Sequence, residues 1–181
     1  LEHRWLHGLE SDVPKHDFRV PIGEAKVVRK GKDITITSMS YMTIEALQAI
    51  RKLEKRGISC ELIDLRTTSP LDWKTVKKSI KKTGRLLALD SSSESFSVSS
   101  EIIADISIKL HKHLQSSPRR LALEDAPAPT SFGLTEFYYN GALEIYDEAL
   151  SVMGIKEKNT KSKFKKDKPH DVPGDWFKGP F

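Results

Sequence analysis

CELIDLRTTSPLDW, residues 60–73, opens as an apolar run of strand type and stops at an acid and a base, Asp64 and Arg66. A turn carrying Pro70 follows, and Asp72 then stands where a helix N-cap belongs. On either side the pattern alternates between strand and helix. Residues 42–56 place Ile44, Leu47, Ile50 and Leu53 on one helical face, and Lys55, Arg56 and Gly57 supply a basic last turn and a stop. After the strand at 59–65, a helix carrying Trp73, Val76 and Ile80 ends at Thr83-Gly84. RLLALD, 85–90, is a short continuous apolar run, as a strand covered on both faces should be.

A serine-rich loop leads to a helix whose stripe is Ile102, Ile103, Ile106, Leu110 and Leu114. RRLALED, 119–125, reads as a further strand, APAPTSFG, 126–133, as a rigid loop, and 142–153 as a last amphipathic helix ending at Gly154. At the other end, AKVVRKGKDITITS, 25–38, holds two β-rich runs about Gly31-Lys32, which predicts a hairpin ending near Thr37. Strand–helix–strand alternation predicts a three-layer α/β/α fold around a mixed five-stranded, mostly parallel sheet. Four strands are expected to be parallel, and the hairpin is expected to supply the antiparallel neighbour.

The 181 residues suit one domain with extensions, 38% hydrophobic and 30% charged. No apolar run approaches the roughly 20 residues of a membrane helix, and the charged start LEHRWLHGLE is no signal peptide. The chain is expected to be cytoplasmic and a piece of something longer. Cys60 is the sole cysteine, alternating with Leu62 in strand fashion, and reads as a buried structural thiol. The net charge of +5 is unevenly placed, because 155–181 holds eight Lys and four acids and leaves the body nearly neutral. Its Lys run contains only Phe164 as an aromatic, so the tail reads as a flexible basic linker rather than a nucleic-acid surface. The expected organisation is a connector over 1–22, the domain over 23–154 and the basic tail over 155–181.

Several chemistries are missing. The first strand-to-helix turn, TSMSYMT, has no glycine, so no dinucleotide fingerprint stands there, and there is no P-loop. His111 and His113 fall on different helix faces and form no metal pair. DSSSESFSVSSE, 90–101, holds seven serines before a helix start, a polar loop with capping serines or an anion cradle. Without a resemblance, this is an α/β module with no catalytic apparatus of its own.

VPIGEAKVVRKGKDITIT (20–37), EAL (45–47), ISCELIDLRTTSPLDW (58–73), KKTGRLLALD (81–90), SSEI (99–102) and TEFYYNGALEIYDEAL (135–150) follow one another in a recognisable order. It resembles the C-terminal domain of the beta subunit of 2-oxo-acid dehydrogenases, within the transketolase C-terminal class, over about 20–154. LEHRWLH is similar to the end of the pyrimidine-binding domain that precedes it in that family. The resemblance implies part of a thiamine-diphosphate-dependent oxidoreductase or transferase, with thiamine diphosphate and Mg held by domains outside this chain. It implies a homodimer or an alpha/beta heterotetramer, with an acyltransferase component as a further partner. The only Gly-Asp, Gly174-Asp175, is followed by Trp176 and cannot begin the family's Gly-Asp-Gly diphosphate motif. No cofactor is therefore expected on this piece, which is expected to be inactive alone.

In the related deoxyxylulose-phosphate synthases an Arg at the matching D-x-R position helps hold substrate. The resemblance thus makes Arg66, with Asp64, the substrate-side candidate. A guanidinium suits a carboxylate or phosphate because it donates in a planar fork; a local tie that fixes the TTSPLDW loop is the alternative. Ser91, Ser92, Ser93, Glu94 and Ser95 are the candidates for a partner-facing loop. The chain departs from the family at Ser40, where Gly is usual, at Ser91–Ser93, where Glu and then several Gly are usual, and at Asn140, where Pro is usual. A sugar-phosphate enzyme of the transketolase or deoxyxylulose-phosphate-synthase type, or a non-catalytic assembly module, remains the rival reading.

Overall fold

The computed structural model describes residues 3–136, 138–157, 164, 169 and 171–179. After a 3-10 turn at Arg4–Gly8 come β1 (Lys26–Arg29), β2 (Ile34–Ser38), α1 (Tyr41–Glu54), β3 (Cys60–Asp64) and α2 (Trp73–Thr83). Then follow β4 (Leu86–Ser93), α3 (Val98–Lys109), β5 (Arg119–Leu123), α4 (Phe132–Thr135) and α5 (Ala142–Val152). The five strands stand in the order β1-β3-β2-β4-β5. The pairs β2–β3, β2–β4 and β4–β5 are parallel, and β1 alone runs antiparallel, against β3. This is the expected mixed sheet with four parallel strands, and helices cover both of its faces.

Side-chain alternation divides the sheet between two cores. Ile34 and Ile36 of β2, Cys60 and Leu62 of β3, and Leu87 and Leu89 of β4 face α1 and α5. Ile63 and Leu65 of the third strand and its following residue, with Leu86 and Ala88 of β4, face α2 and α3. Full burial of each Leu or Ile is worth about 1.5–3 kcal/mol, so the central strands are fixed in register by what they hide. β2 also buries three polar residues, Thr35, Thr37 and Ser38: the Thr35 hydroxyl is paired with Ser79 and Thr83 of α2 at 2.7 Å each, and that of Ser38 with Thr43 at 2.9 Å. Cys60 is fully buried and its thiol is pushed up to about 12, chiefly by that burial, which fits a structural role.

The predicted caps of α2 form. Asp72 accepts from Thr75 N–H at 3.0 Å, and Gly84 ends the helix in the left-handed conformation. In α1 the buried face is rotated from the expected stripe. Met42, Ala46, Ala49, Ile50 and Leu53 are covered, while Ile44 and Leu47 are only partly so. The small alanines let the helix come close to the sheet and α5, a packing preference that apolar periodicity alone does not encode.

The predicted hairpin does not form, because β3 lies between β1 and β2. Gly31 serves a close approach instead of a two-strand turn. A Cβ there would lie 2.1 Å from the Cys60 carbonyl carbon. Lys32 and Asp33 both donate their N–H groups to Ser59 O, and the Asp33 carboxylate accepts from Ser59 N–H at 2.7 Å. The chain thus crosses the start of β3 and lays β1 on its far side. The physical reason is burial: CELID has apolar groups to hide and takes an interior place, whereas KVVR, with Lys26 and Arg29 exposed, tolerates the sheet edge.

Candidate functional site at the carboxyl edge of the sheet

The four parallel strands end at one edge, and the order β3-β2-β4-β5 sets which side chains meet there. The connection from β2 through α1 returns to β3 on one side, and that from β4 through α3 leads to β5 on the other. The crevice of such a sheet falls between β2 and β4, outside their carboxyl ends. Ser38, Ser40, Tyr41 and Asp90 stand around it.

Asp64 closes β3, and its carboxylate accepts from Arg66 N–H at 3.3 Å. Burial pushes the Asp64 carboxyl up, against the pull of the Arg66 N–H and of the Arg66 and Lys26 charges. Arg66 has φ +58, in the left-handed region, and is exposed. Its guanidinium has no hydrogen bond or ion pair among the described residues. The local tie is therefore made by the backbone of Arg66 and leaves its side chain available. Thr67 Oγ1 accepts from Gly23 N–H at 3.1 Å, which pins the turn to the connector. Two residues past Arg66, a cavity of about 340 Å³ opens among Thr68, Pro70, Trp73, Val98 and Glu101.

The serines form a separate group. They lie at the end of β4, two strand spacings, or roughly 10 Å, across from β3. Asp90, 3% exposed, accepts from the N–H and hydroxyl of Ser92 and from Ser99 N–H at the start of α3. Ser93 pairs with Leu123 after a shift in the β4–β5 register beyond Leu89, Glu94 pairs with Arg120 at 2.8 Å, and both the N–H and the hydroxyl of Ser95 donate to Asp125. Ser97 caps α3 by accepting from Ser100 N–H. Ser91 is half-buried and the side chains of 92–95 are exposed, but their polar groups largely bond back to the domain. The side chain presented outward is Phe96, fully exposed, at φ +55.

Sequence reasoning passed over Tyr41, Asp90 and Glu45. Tyr41 is buried at the mouth of the crevice. Its phenol is held well above the usual range, first by burial and then by the charges of Glu45, Tyr139 and Asp90. The available signal was the motif EAL itself, in which a charged residue interrupts an otherwise buried helix face. Ser40, by contrast, was singled out, and it has φ +56 and ψ −140, the conformation for which the family's glycine is suited. Asn140 replaces the usual Pro and donates to Ala122 O of β5 at 2.7 Å.

An open, doubly wound sheet with charged groups at its carboxyl edge defines an α/β ligand-edge domain. The family model described as transketolase, C-terminal domain, matches residues 23–141, and the chain belongs to that family. It is 37% identical to the acetoin:2,6-dichlorophenolindophenol oxidoreductase subunit beta of Cupriavidus necator, over 84% of this chain and 45% of that one. It is also 37% identical to the pyruvate dehydrogenase E1 component subunit beta of Cyanidium caldarium, over 80% and 41%. Against the mitochondrial 2-oxoisovalerate dehydrogenase subunit beta of Dictyostelium discoideum the identity is again 37%, over 78% and 38%. The chain thus spans less than half the length of these relatives. Among solved structures, a split-gene transketolase, described as an inactive beta4 tetramer, superposes with a TM-score of 0.67 at 24% identity, over 81% of this chain and 47% of that one. That likeness concerns the fold.

Proposed function

We propose that this chain is the C-terminal domain of a beta-type subunit in a thiamine-diphosphate-dependent 2-oxo-acid dehydrogenase, where it supports subunit association and shapes the active-site entrance. The observation that carries this reading is the Arg66 guanidinium, exposed and without a hydrogen bond or ion pair among the described residues, at the carboxyl edge of a domain similar to E1 beta subunits. A 2-oxo acid offers a carboxylate, which a guanidinium can hold by two parallel hydrogen bonds. Asp64 orients the turn through the Arg66 N–H, and Arg66 positions substrate.

In this reading the diphosphate-and-metal site lies outside this edge. No three His, Cys, Asp or Glu gather as metal ligands among the described residues, and the only Gly-Asp in the sequence lies in the C-terminal segment. Thiamine diphosphate and Mg belong to other parts of the assembled enzyme, and no chemical step is assigned to this chain. The partners in this reading are a subunit bearing the diphosphate motif, in an alpha/beta heterotetramer or a homodimer, and an acyltransferase. The loop 91–96 is the surface offered to a partner, with Phe96 outward and Ser91, Ser92, Ser93, Glu94 and Ser95 fixing its course. No helix among the described residues is long and apolar enough to cross a membrane, and a cytoplasmic location goes with this reading.

The test uses the full-length parent purified with its co-purifying subunits. Arg66→Ala should raise KM for the 2-oxo acid about tenfold or more, the loss expected for a hydrogen bond between charged groups, with kcat changed far less. Arg66→Lys should recover only part of the loss, because it keeps the charge and loses the fork. An unchanged KM in Arg66→Ala would remove Arg66 from the site. Purification of the parent alone, as a long homodimer acting on sugar phosphates, would replace the dehydrogenase reading with its rival.

A further inference from the structure

Glu45 sits on the inner side of α1, 4% exposed, and a buried carboxylate needs donors. One oxygen accepts from Ala142 N–H at 2.9 Å, at the start of α5. The other accepts from two groups of the C-terminal segment, Gly174 N–H at 3.2 Å and the Trp176 indole N–H at 2.5 Å. Phe177 closes a turn by donating to Gly174 O and is 3% exposed. Its ring meets Trp5 edge-on at 6.4 Å between centroids. Trp5 in turn packs on Tyr41 at 4.8 Å and on Tyr139 at 6.1 Å. Gly179 passes against the ring of Phe177, where a Cβ would lie 2.5 Å away. Between α1, the approach to α5 and this segment lies a cavity of about 940 Å³, lined by Trp5, Tyr41, Glu45, Arg51, Asn140 and Trp176 among others.

Chain connectivity does not impose this contact. Phe164 rests on the Tyr146 ring at 5.4 Å between centroids, and the chain from there to Val172 has a contour of roughly 25 Å, so the segment reaches Glu45 by recognition and not by tether length. Nor is it needed to complete the domain's own ladders. If it left, Glu45 would keep Ala142 N–H and could exchange the other two donors for water through the cavity. We propose that residues 172–177 are a detachable strap, an intrachain ligand that seats on Glu45 and Trp5. Seating holds the connector ahead of β1 against α1, through the Phe177–Trp5 contact beside the Glu45 carboxylate. Nothing in this contact depends on the substrate of the assembled enzyme.

The test is made on the full chain with a specific protease site placed within 165–168, so that Phe164, which packs on Tyr146, stays with the body. After cleavage, the fragment carrying the strap should co-elute with the body on size exclusion, as identified by mass spectrometry. Trp176→Phe, which removes only the indole donor, and Glu45→Gln, which turns an N–H toward one of the donors, should each weaken retention about tenfold or more. In the uncut chain, Phe177→Ala should speed hydrogen exchange at the Leu6 and Leu9 amides, which close the 3-10 turn on His3 O and Leu6 O. Exchange in α2 and α3 should stay unchanged, which also reports that the variant is folded. If Glu45→Gln does not fold, Trp176→Phe decides alone. Free elution of the wild-type fragment, retention unaltered in Trp176→Phe, or unchanged exchange at Leu6 and Leu9 would each overturn the strap.

Discussion

At Ser40 and Arg66 the backbone enters the left-handed half of conformational space without a glycine. The two positions differ in consequence. At Arg66 the positive φ goes with an exposed side chain, whereas Ser40 combines it with ψ −140, a region suited to glycine. The Ser40 side chain makes no capping hydrogen bond with α1 that would compensate. Ser40→Gly should therefore stabilise the domain by about 1 kcal/mol, the relief of strain exceeding the extra chain entropy of glycine. Denaturant unfolding measures it, and a Ser40→Gly chain less stable than the wild type would show that the serine is not strained. That the position is special was legible from the glycine usual there. That Arg66 leaves its guanidinium available was not legible, because D-x-R spacing is equally compatible with a side-chain ion pair.

Among the elements, the largest difference between pattern and structure concerns β1. The run on each side of Gly31-Lys32 has the residues of a hairpin, yet the two strands are separated by one that comes some 25 residues later. Local sequence carries the strand propensity of both; which neighbour each takes depends on how much apolar surface β3 must hide. The close crossing at Gly31 supplies the check. Gly31→Ala should cost about 3 kcal/mol or more and leave β3 displaced, since the intruding methyl meets the rigid backbone of Cys60 and Glu61 and not a movable side chain. Thermal unfolding of that variant within about 1 kcal/mol of wild type would mean that the crossing is looser than described. The serine-rich segment was readable as capping, and Ser97 does cap α3. The role of Asp90, which gathers Ser92 and Ser99, required the loop's tertiary path.

Across the whole molecule, the helices are tied to their surroundings by carboxylates. Burial would raise the carboxyls of Glu61, Asp72 and Asp105, but in each it is outweighed. Hydrogen bonds and charge from Lys82, Ser79 and Gly31 lower Glu61, donors from Thr75 and Ala25 lower Asp72, and Lys109 and Lys77 lower Asp105. A carboxyl lowered in the folded state binds its proton more weakly than in the unfolded chain. Its stabilisation is present above the unfolded values of about 4 and is lost as pH falls through the folded ones. Urea unfolding should therefore show stability declining below about pH 4 as these groups protonate. Asp64 has the opposite sign, because its raised carboxyl favours the folded state only while protonated. Asp64→Asn should stabilise the domain at pH 7 and bring no gain at pH 3; an equal gain at both would assign the effect to something other than ionisation.

The sequence by itself determined the class of fold, the helix caps at Asp72 and Gly84, the buried thiol of Cys60 and the family membership. These follow from periodicity, local capping chemistry and a motif order that survives changes in the loops. The tertiary structure alone decided that β1 pairs with β3, that α1 turns its alanines inward, and that residues 172–177 lie on Glu45 beside Trp5. The flexible-linker expectation for 158–163, 165–168 and 170 falls outside the described residues. The physical reason is range. Dihedral preference and cap bonding act within a turn, whereas the choice of neighbour is made by burial and by the donors a hidden carboxylate must find, here from residues 97 and 131 positions away.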